Sequence, residues 1–247
     1  MINLDFSDQV ILVTGATRGI GKQIADDFEK LGAFVIGTGT RKEEIEQLNA
    51  SGPASREYKC VDFSDNEATK QFTDYLRTLD KLDVCVNNAG TNRPEFIEDT
   101  GLNDWEDIQN INLGAPFRIM RAVTPVMKKN NYGRIVNITS LWAHISMVKR
   151  SVYTASKFGL RGLTLSLGNE LAPYNILVNA VSPGFILTDL SKQTLSDEER
   201  KRISEKIPVG RFGETEEISR LVLFLASSLN TYIVGQSIVA DGGYMNL

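Results

Sequence analysis

The 247-residue chain is 42% hydrophobic and 23% charged, an ordinary balance for a globule that buries a full core, in one large α/β domain or two small ones. Its net charge of −4, without a run of five basic residues, argues against a nucleic-acid surface. The opening stretch MINLDFSDQVILVTG has no basic region and enters a strand-like apolar run at once, so it reads as neither a secretory leader nor a membrane span, and a cytoplasmic protein is expected.

In chain order, VILVT (10–14) predicts the first strand, and Ile20, Ile24, Phe28 and Leu31 then fall on one face of a helix. Further apolar runs follow at FVIGT (34–38), YKCVD (58–62), DVCVNN (83–88), RIVNIT (134–139), ILVNAVS (176–182) and SIVAD (237–241), with helical stretches between them. Runs that do not alternate with polar residues, separated by helices, predict a parallel sheet covered on both faces. The expected fold is a doubly wound α/β sheet of about seven strands. No linker or repeat divides it, so residues 1–247 are read as one domain. Two helices, at about 103–131 and 151–174, are long. Cys60 and Cys85 lie in strand-like runs with no Cys or His at metal-ligand spacing, which predicts two free buried thiols and no metal site. The charged stretch 189–207 breaks the rhythm before the last strand. SDEE (196–199) is a capping box and predicts a helix start there; the stretch is either a solvated helix or a lid over a site.

TGATRGIG (14–21) follows the first strand and opens the first helix. Gly15 permits a tight turn, Gly19 lets the backbone approach a pyrophosphate, and Gly21 lets the helix pack closely. The helix N-terminus adds free N–H groups and the positive end of its dipole. This predicts a dinucleotide site. NAD sites place a carboxylate at the end of the second strand to bind the ribose 2′-hydroxyl. Here that position reads Gly39, then Thr40 and Arg41, while Glu43 and Glu44 lie inside the next helix. Arg41, with Arg18 from the glycine loop, suits a 2′-phosphate, so NADP(H) is the expected cofactor.

SVYTASK (151–157) sets Tyr153 four residues before Lys157 in a chain with one histidine. Residues i and i+4 share a helix face. An ammonium ~4 Å from a phenol is worth up to ~4 kcal/mol at an effective dielectric near ~20, enough to lower a pKa of ~10 by up to about three before opposing burial is subtracted. Tyr153 is therefore expected to act as general acid in carbonyl reduction and as base in the reverse direction. Ser140, at a strand end, is placed to hold an oxygen that gains charge. The single histidine, His144, lies with Trp142 between Ser140 and Tyr153 and reads as pocket lining or surface.

With TGATRGIG, NNAG (87–90), IVNITS (135–140), YTASK (153–157) and SPG (182–184) in order, the chain resembles the short-chain dehydrogenase/reductase family from end to end. The resemblance implies a Rossmann-type domain, with the cofactor part at about 1–140 and the catalytic and substrate part at about 140–247, the latter including the candidate lid at about 189–207. It implies catalysis by Asn112, Ser140, Tyr153 and Lys157, with Asn112 holding a water that joins Lys157 to solvent. It implies cofactor contacts from Gly15, Thr17, Arg18, Gly19, Ile20, Gly21, Thr40, Arg41, Asp62, Asn88, Ala89, Gly90, Tyr153, Lys157, Pro183, Gly184, Ile186 and Thr188. Asp62 would meet the adenine, and Ile186 and Thr188 the nicotinamide. The long helices and the C-terminal VADGGYMNL would build a homotetramer.

Within the family the chain most resembles 3-oxoacyl-acyl-carrier-protein reductases, which dock an acidic carrier protein on basic residues after the fourth helix and at the end of the fifth. This chain has Asn131 and Tyr174 at those places, with Lys128 and Lys129 close by. The stretch NNAGTNRPEF (87–96) looks more like sugar and sugar-acid dehydrogenases, for which Arg93, Lys149 and Arg150 would supply charge at the pocket mouth. A protein that senses NADP(H) without turnover is the remote alternative.

Overall fold

The computed structural model describes residues 4–246. Seven strands form one parallel sheet: β1 (Val10–Val13), β2 (Phe34–Gly39), β3 (Arg56–Cys60), β4 (Val84–Asn87), β5 (Gly133–Ile138), β6 (Ile176–Pro183) and β7 (Ser237–Ala240), in the order β3-β2-β1-β4-β5-β6-β7. The strands fall on the predicted apolar runs to within two residues. The order reverses between β1 and β4, and in open α/β sheets ligands bind at the carboxyl ends of the strands at that switch point.

The helices are α1 (Gly19–Lys30), α2 (Lys42–Ser51), α3 (Asn66–Arg77), α4 (Leu102–Gln109), α5 (Ala115–Lys129), α6 (Ser151–Leu171), α7 (Asp189–Thr194), α8 (Asp197–Ser204) and α9 (Thr215–Ala226). Successive residues of a strand feed opposite layers. Ile11 and Val13 pack with Ile24 and Phe28 of α1 and Val222 and Leu225 of α9, whereas Leu12 packs with Leu76 of α3, Ile119 and Val123 of α5 and Leu160 of α6. Both faces of β1 are dry, which is why its sequence shows no alternation. No helix among the described residues is long and apolar enough to cross a membrane.

Edge position corrects one expectation. Cys85, in central β4, is buried, but Cys60 is exposed; both thiols are free. β3 closes one side of the sheet, so its last residue has a neighbouring strand on one flank only. The capping box is present: Ser196 Oγ accepts from Glu199 N at 3.2 Å and Glu199 Oε2 accepts from Ser196 N at 2.8 Å. Among the described residues no cluster of His, Cys, Asp and Glu is built to hold a metal ion.

Candidate active site

At the switch point the loop after β1 meets the loop after β4. Gly15 has φ +65°, and a Cβ there would stand 3.0 Å from Ala89 Cα. A Cβ on Gly21 would lie 2.2 Å from Gly15 O, so only glycine lets α1 start this close to its own loop. Thr14 and Asn88 lock the two loops together. Thr14 Oγ1 accepts from Asn88 N (2.9 Å) and Ala89 N (3.0 Å), and Asn88 Nδ2 donates to Thr14 O (2.9 Å) and Gly15 O (3.1 Å). Asn88 thus shapes the cradle with its side chain. Thr38 adds a hydroxyl that accepts from Gly15 N at 3.0 Å.

Arg18 sits at the cap position of α1 and places no side-chain acceptor on the first-turn N–H groups, which an α-helix leaves unpaired. Gly19, at φ +54°, faces Thr188, whose methyl is 3.7 Å from where a Cβ would be. A bare backbone turn, free N–H groups and a helix dipole fit a dinucleotide pyrophosphate. Ile20 packs its side chain against the core, so it has only its N–H to offer.

The end of β2 carries no acid. Gly39 closes the strand, and a Cβ there would strike Thr17 Cγ2 at 2.5 Å. Exposed Thr40 and Arg41 follow. The Arg41 guanidinium is held on both edges by Glu44, with Nε–Oε2 at 3.0 Å and Nη2–Oε1 at 2.7 Å. A solvent-exposed pair of this kind contributes at most about 1 kcal/mol, so it yields readily to a dianion. Asp62 lies two residues beyond β3, and its Oδ1 is occupied by Ser64 N (2.9 Å) and Ser64 Oγ (2.8 Å).

On the other side of the switch point, α4 and α5 run on through one π-helical turn, Asn110–Gly114. Such turns recur at functional sites because they rotate the side chains that follow. Asn112, in this turn, is fully buried. It accepts from Thr91 N (2.8 Å) and donates to Thr91 O (2.9 Å) and Ser156 Oγ (3.0 Å). Asn112 Oδ1 and Lys157 Nζ converge over Gly90, lying 3.3 and 3.5 Å from the Cβ position there.

Lys157, only 3% exposed, donates to Ile138 O at 2.9 Å, and burial brings its ammonium down to about 8. Its Nζ is 5.7 Å from the centre of the Tyr153 ring. The expected lowering of the Tyr153 phenol is reversed. Burial pushes it above its usual value, and the Ser140 hydroxyl and the Arg150 charge offset only part of that rise. Arg150 therefore acts on Tyr153. Ser140, extended at φ −172°, accepts from Trp142 N at 3.2 Å and caps the short 3-10 turn Leu141–Ala143.

The loop after β6 completes the rim. Pro183 is buried at the strand end, and a Cβ on Gly184 would lie 2.7 Å from Asp241 Cα. Ile186 bridges to Gly213 and packs on the core, while Thr188 Oγ1 accepts from Ser191 N at 3.2 Å and starts α7. Trp142 is buried edge-on against Phe185, with ring centres 6.3 Å apart. Sequence reading missed Thr14, Thr38, Thr91 and Ser156. Their one shared signal is a short polar residue at the end of an apolar run or beside a predicted site residue.

A switch-point cradle for a dinucleotide, with Ser140, Tyr153 and Lys157 on its far side, defines the class: an oxidoreductase of the Rossmann type. Residues 15–245 match the family model described as Enoyl-(Acyl carrier protein) reductase. The chain is 39% identical over 247 residues to the 3-oxoacyl-[acyl-carrier-protein] reductase FabG of Aquifex aeolicus (strain VF5), covering 98% of this chain and 99% of that one. It also superposes with a TM-score of 0.90 on a protein from Agrobacterium tumefaciens assigned as a gluconate dehydrogenase, at 28% identity and 100% of both chains. A second structure with a TM-score of 0.90, from Beutenbergia cavernae, is assigned as an NAD(P)-dependent gluconate 5-dehydrogenase and carries NADP; it is 32% identical over 98% of this chain and 99% of its own. The chain belongs to the short-chain dehydrogenase/reductase family, as its motifs led us to expect.

Proposed function

We propose that the protein is an NADP(H)-dependent reductase of 3-oxoacyl thioesters borne by an acyl carrier protein, giving the 3-hydroxyacyl product. The observation that carries the substrate class is the wall formed by the segments after β4 and β5. Arg93 is held by Asp104 and, at 3.1 Å, by Asp107. Lys149 lies 3.9 Å from Glu95 and 4.4 Å from the centre of the Phe96 ring. Two of the three cations expected to serve an anionic sugar, Arg93 and Lys149, thus have carboxylate partners at the surface, while Arg150 has none among the described residues. Phe96, Ile97 (69% exposed), Met147 and Val148 (71% exposed) offer apolar surface instead, which suits an acyl chain. Leu141 and Trp142 are packed into the fold and take no part in that surface.

NADP(H), when bound, supplies or takes up the hydride. The first turn of α1 and the loop around Gly19 hold its pyrophosphate, and Thr40, Arg41 and Arg18 its 2′-phosphate. The Tyr153 phenol gives its proton to the substrate oxygen. Ser140 holds that oxygen as it gains charge, and Lys157 keeps a positive charge beside the phenol. For the carrier, Lys128 is poised over Tyr174, its ammonium 3.9 Å from the ring centre, so Tyr174 holds in place a cation from the neighbouring helix. Lys129 is exposed beside it.

The likeness to proteins assigned as gluconate dehydrogenases favours a sugar acid as the second reading. One panel separates the two: acetoacetyl thioester and gluconate, each with NADP(H) and NAD(H). The expected result is thioester reduction with NADPH at least about tenfold more efficient than with NADH, a preference narrowed or reversed by Arg41→Asp. Carrier-bound substrate should lose rate with added salt while the free thioester does not. Thioester turnover no faster than that of a generic ketone, beside brisk gluconate oxidation, rejects the first reading.

Exposed Phe117 on α5 and Phe158 and Leu165 on α6 support a homotetramer built on these two helices, since closed symmetry is the rule for soluble oligomers. Light scattering at micromolar concentration should give four times the 27.4 kDa chain mass; a monomer rejects the assembly.

A further inference from the structure

His144, the single histidine, stands at the end of the segment that carries Ser140, and its Nε2 is not turned toward Tyr153. It meets Ser182 Oγ at 2.9 Å and Ser237 Oγ at 3.2 Å. Those two hydroxyls are 2.8 Å apart, and Ser182 Oγ is 2.7 Å from Thr139 Oγ1. Thr139 Oγ1 in turn donates to Val181 O at 3.0 Å. The chain thus joins the residue after β5 and the carboxyl end of β6 to the first residue of β7. Thr139 and Ser182 are buried, so each contact without a proton between its two heavy atoms is a destabilising one.

Counting protons fixes the direction of the chain. The three hydroxyls supply one proton each, and five contacts need serving. If Nε2 carries a proton, it is shared between Ser182 and Ser237, Ser237 donates to Ser182, Ser182 to Thr139 and Thr139 to Val181 O. All five contacts are then satisfied. If Nε2 is bare, two of the three hydroxyl protons must each be shared to serve all five contacts, whereas with Nε2–H a single shared proton is enough. The arrangement with Nε2–H is the one that closes with least sharing.

We infer that His144 is a positioning residue for Ser140, its Nε2–H donating into the Ser237–Ser182–Thr139 chain so that both ends of segment 139–144 are pinned to β6 and β7. The near end is held by Thr139, whose N–H also donates to Val181 O at 2.8 Å. The far end is held by His144 and by Arg161, whose Nη1 donates to Ala143 O at 3.1 Å. Between these anchors Ser140 is placed within its turn. A second proton on the imidazole goes to Nδ1 and leaves the Nε2–H bond intact, so the chain does not switch with pH. The charged groups acting on the ring are Arg161 of α6 and Asp241 after β7; burial first, then Arg161, lowers its pKa, and Asp241 opposes them.

The inference rests on the proposed role of Ser140, but its first test does not depend on activity. Because the chain has one histidine, ¹⁵N-histidine labelling gives one imidazole, whose long-range ¹H–¹⁵N correlations report its tautomer. Expected is a protonated Nε2 and a bare Nδ1 at neutral pH, with Nε2 remaining protonated through the titration; a bare Nε2 overturns the inference. The second test compares His144→Phe, which keeps bulk without a donor, with His144→Gln, which keeps an N–H at similar reach. With acetoacetyl thioester and NADPH, kcat should fall about tenfold in His144→Phe, with KM for NADPH little changed, and return to within about threefold in His144→Gln. An unchanged kcat in His144→Phe, or the same loss in both variants, rejects the positioning role.

Discussion

Replacing Tyr153 with Phe should lower carbonyl reduction by at least about 100-fold, the contribution of a positioned general acid. The dissociation constant for NADPH should change by less than about twofold, because in the proposed mechanism the phenol hydroxyl handles the proton and leaves cofactor binding to the cradle. Two other titratable side chains of the site are engaged elsewhere. His144 directs Nε2 to Ser182 and Ser237, and the Lys157 ammonium donates to Ile138 O. Burial holds the phenol above its ordinary value, so Tyr153 stays protonated through the neutral range. Reduction should accordingly run flat across neutral pH and decline only in alkali, while oxidation, which needs the phenolate, should quicken as pH rises. Steady-state rates beside a fluorescence titration of NADPH read both halves. More than about a tenth of wild-type kcat in Tyr153→Phe would contradict a general acid of this size.

How much of this was legible depends on the range of the interaction concerned. The strands could be read because the central ones are dry on both faces, so local composition reports burial directly; Cys60 escaped because an edge strand is a property of the whole sheet. The glycine loop was legible because its constraints are backbone constraints, and Gly15 and Gly21 show the turn and the close approach that were expected. Asn88 was placed beside the cofactor, but its side-chain bonds to Thr14 and Gly15, more than seventy residues away, could not be read from spacing. Lys157 shows the same limit. The i, i+4 spacing located it one turn from Tyr153, yet only the folded chain shows Ile138 O taking the ammonium and burial outweighing charge at the phenol. Arg41 was read as free for a phosphate; Glu44, three residues on, answers it at the surface. Sequence spacing finds neighbours along one element, and the strength of their interaction is set by what the rest of the fold brings to them.

Lys157→Met should abolish turnover and, at pH 7, make the protein more stable. The ammonium is buried with a single carbonyl for company, and desolvation alone brings it to about 8 from the ordinary 10.5. The unfolded chain therefore binds a proton that the folded chain has released over the interval from about 8 to 10.5. The destabilisation is complete below about 8 and fades as pH rises to 10.5. At about 1.4 kcal/mol per pH unit this bounds it at about 3.5 kcal/mol. Methionine fills a similar volume without charge, but it leaves Ile138 O without the bond from Lys157, a loss of about 1 kcal/mol. A net gain of up to about 2.5 kcal/mol remains at pH 7, the usual relation between a site kept for chemistry and the stability it forgoes. Urea unfolding of wild type and variant at pH 7 and pH 9.5 tests the sign. The advantage of Lys157→Met should shrink at the higher pH, where the wild-type amine is already neutral in the fold. A variant less stable at pH 7, or an advantage that grows with pH, would mean that Lys157 is held by more than the carbonyl of Ile138.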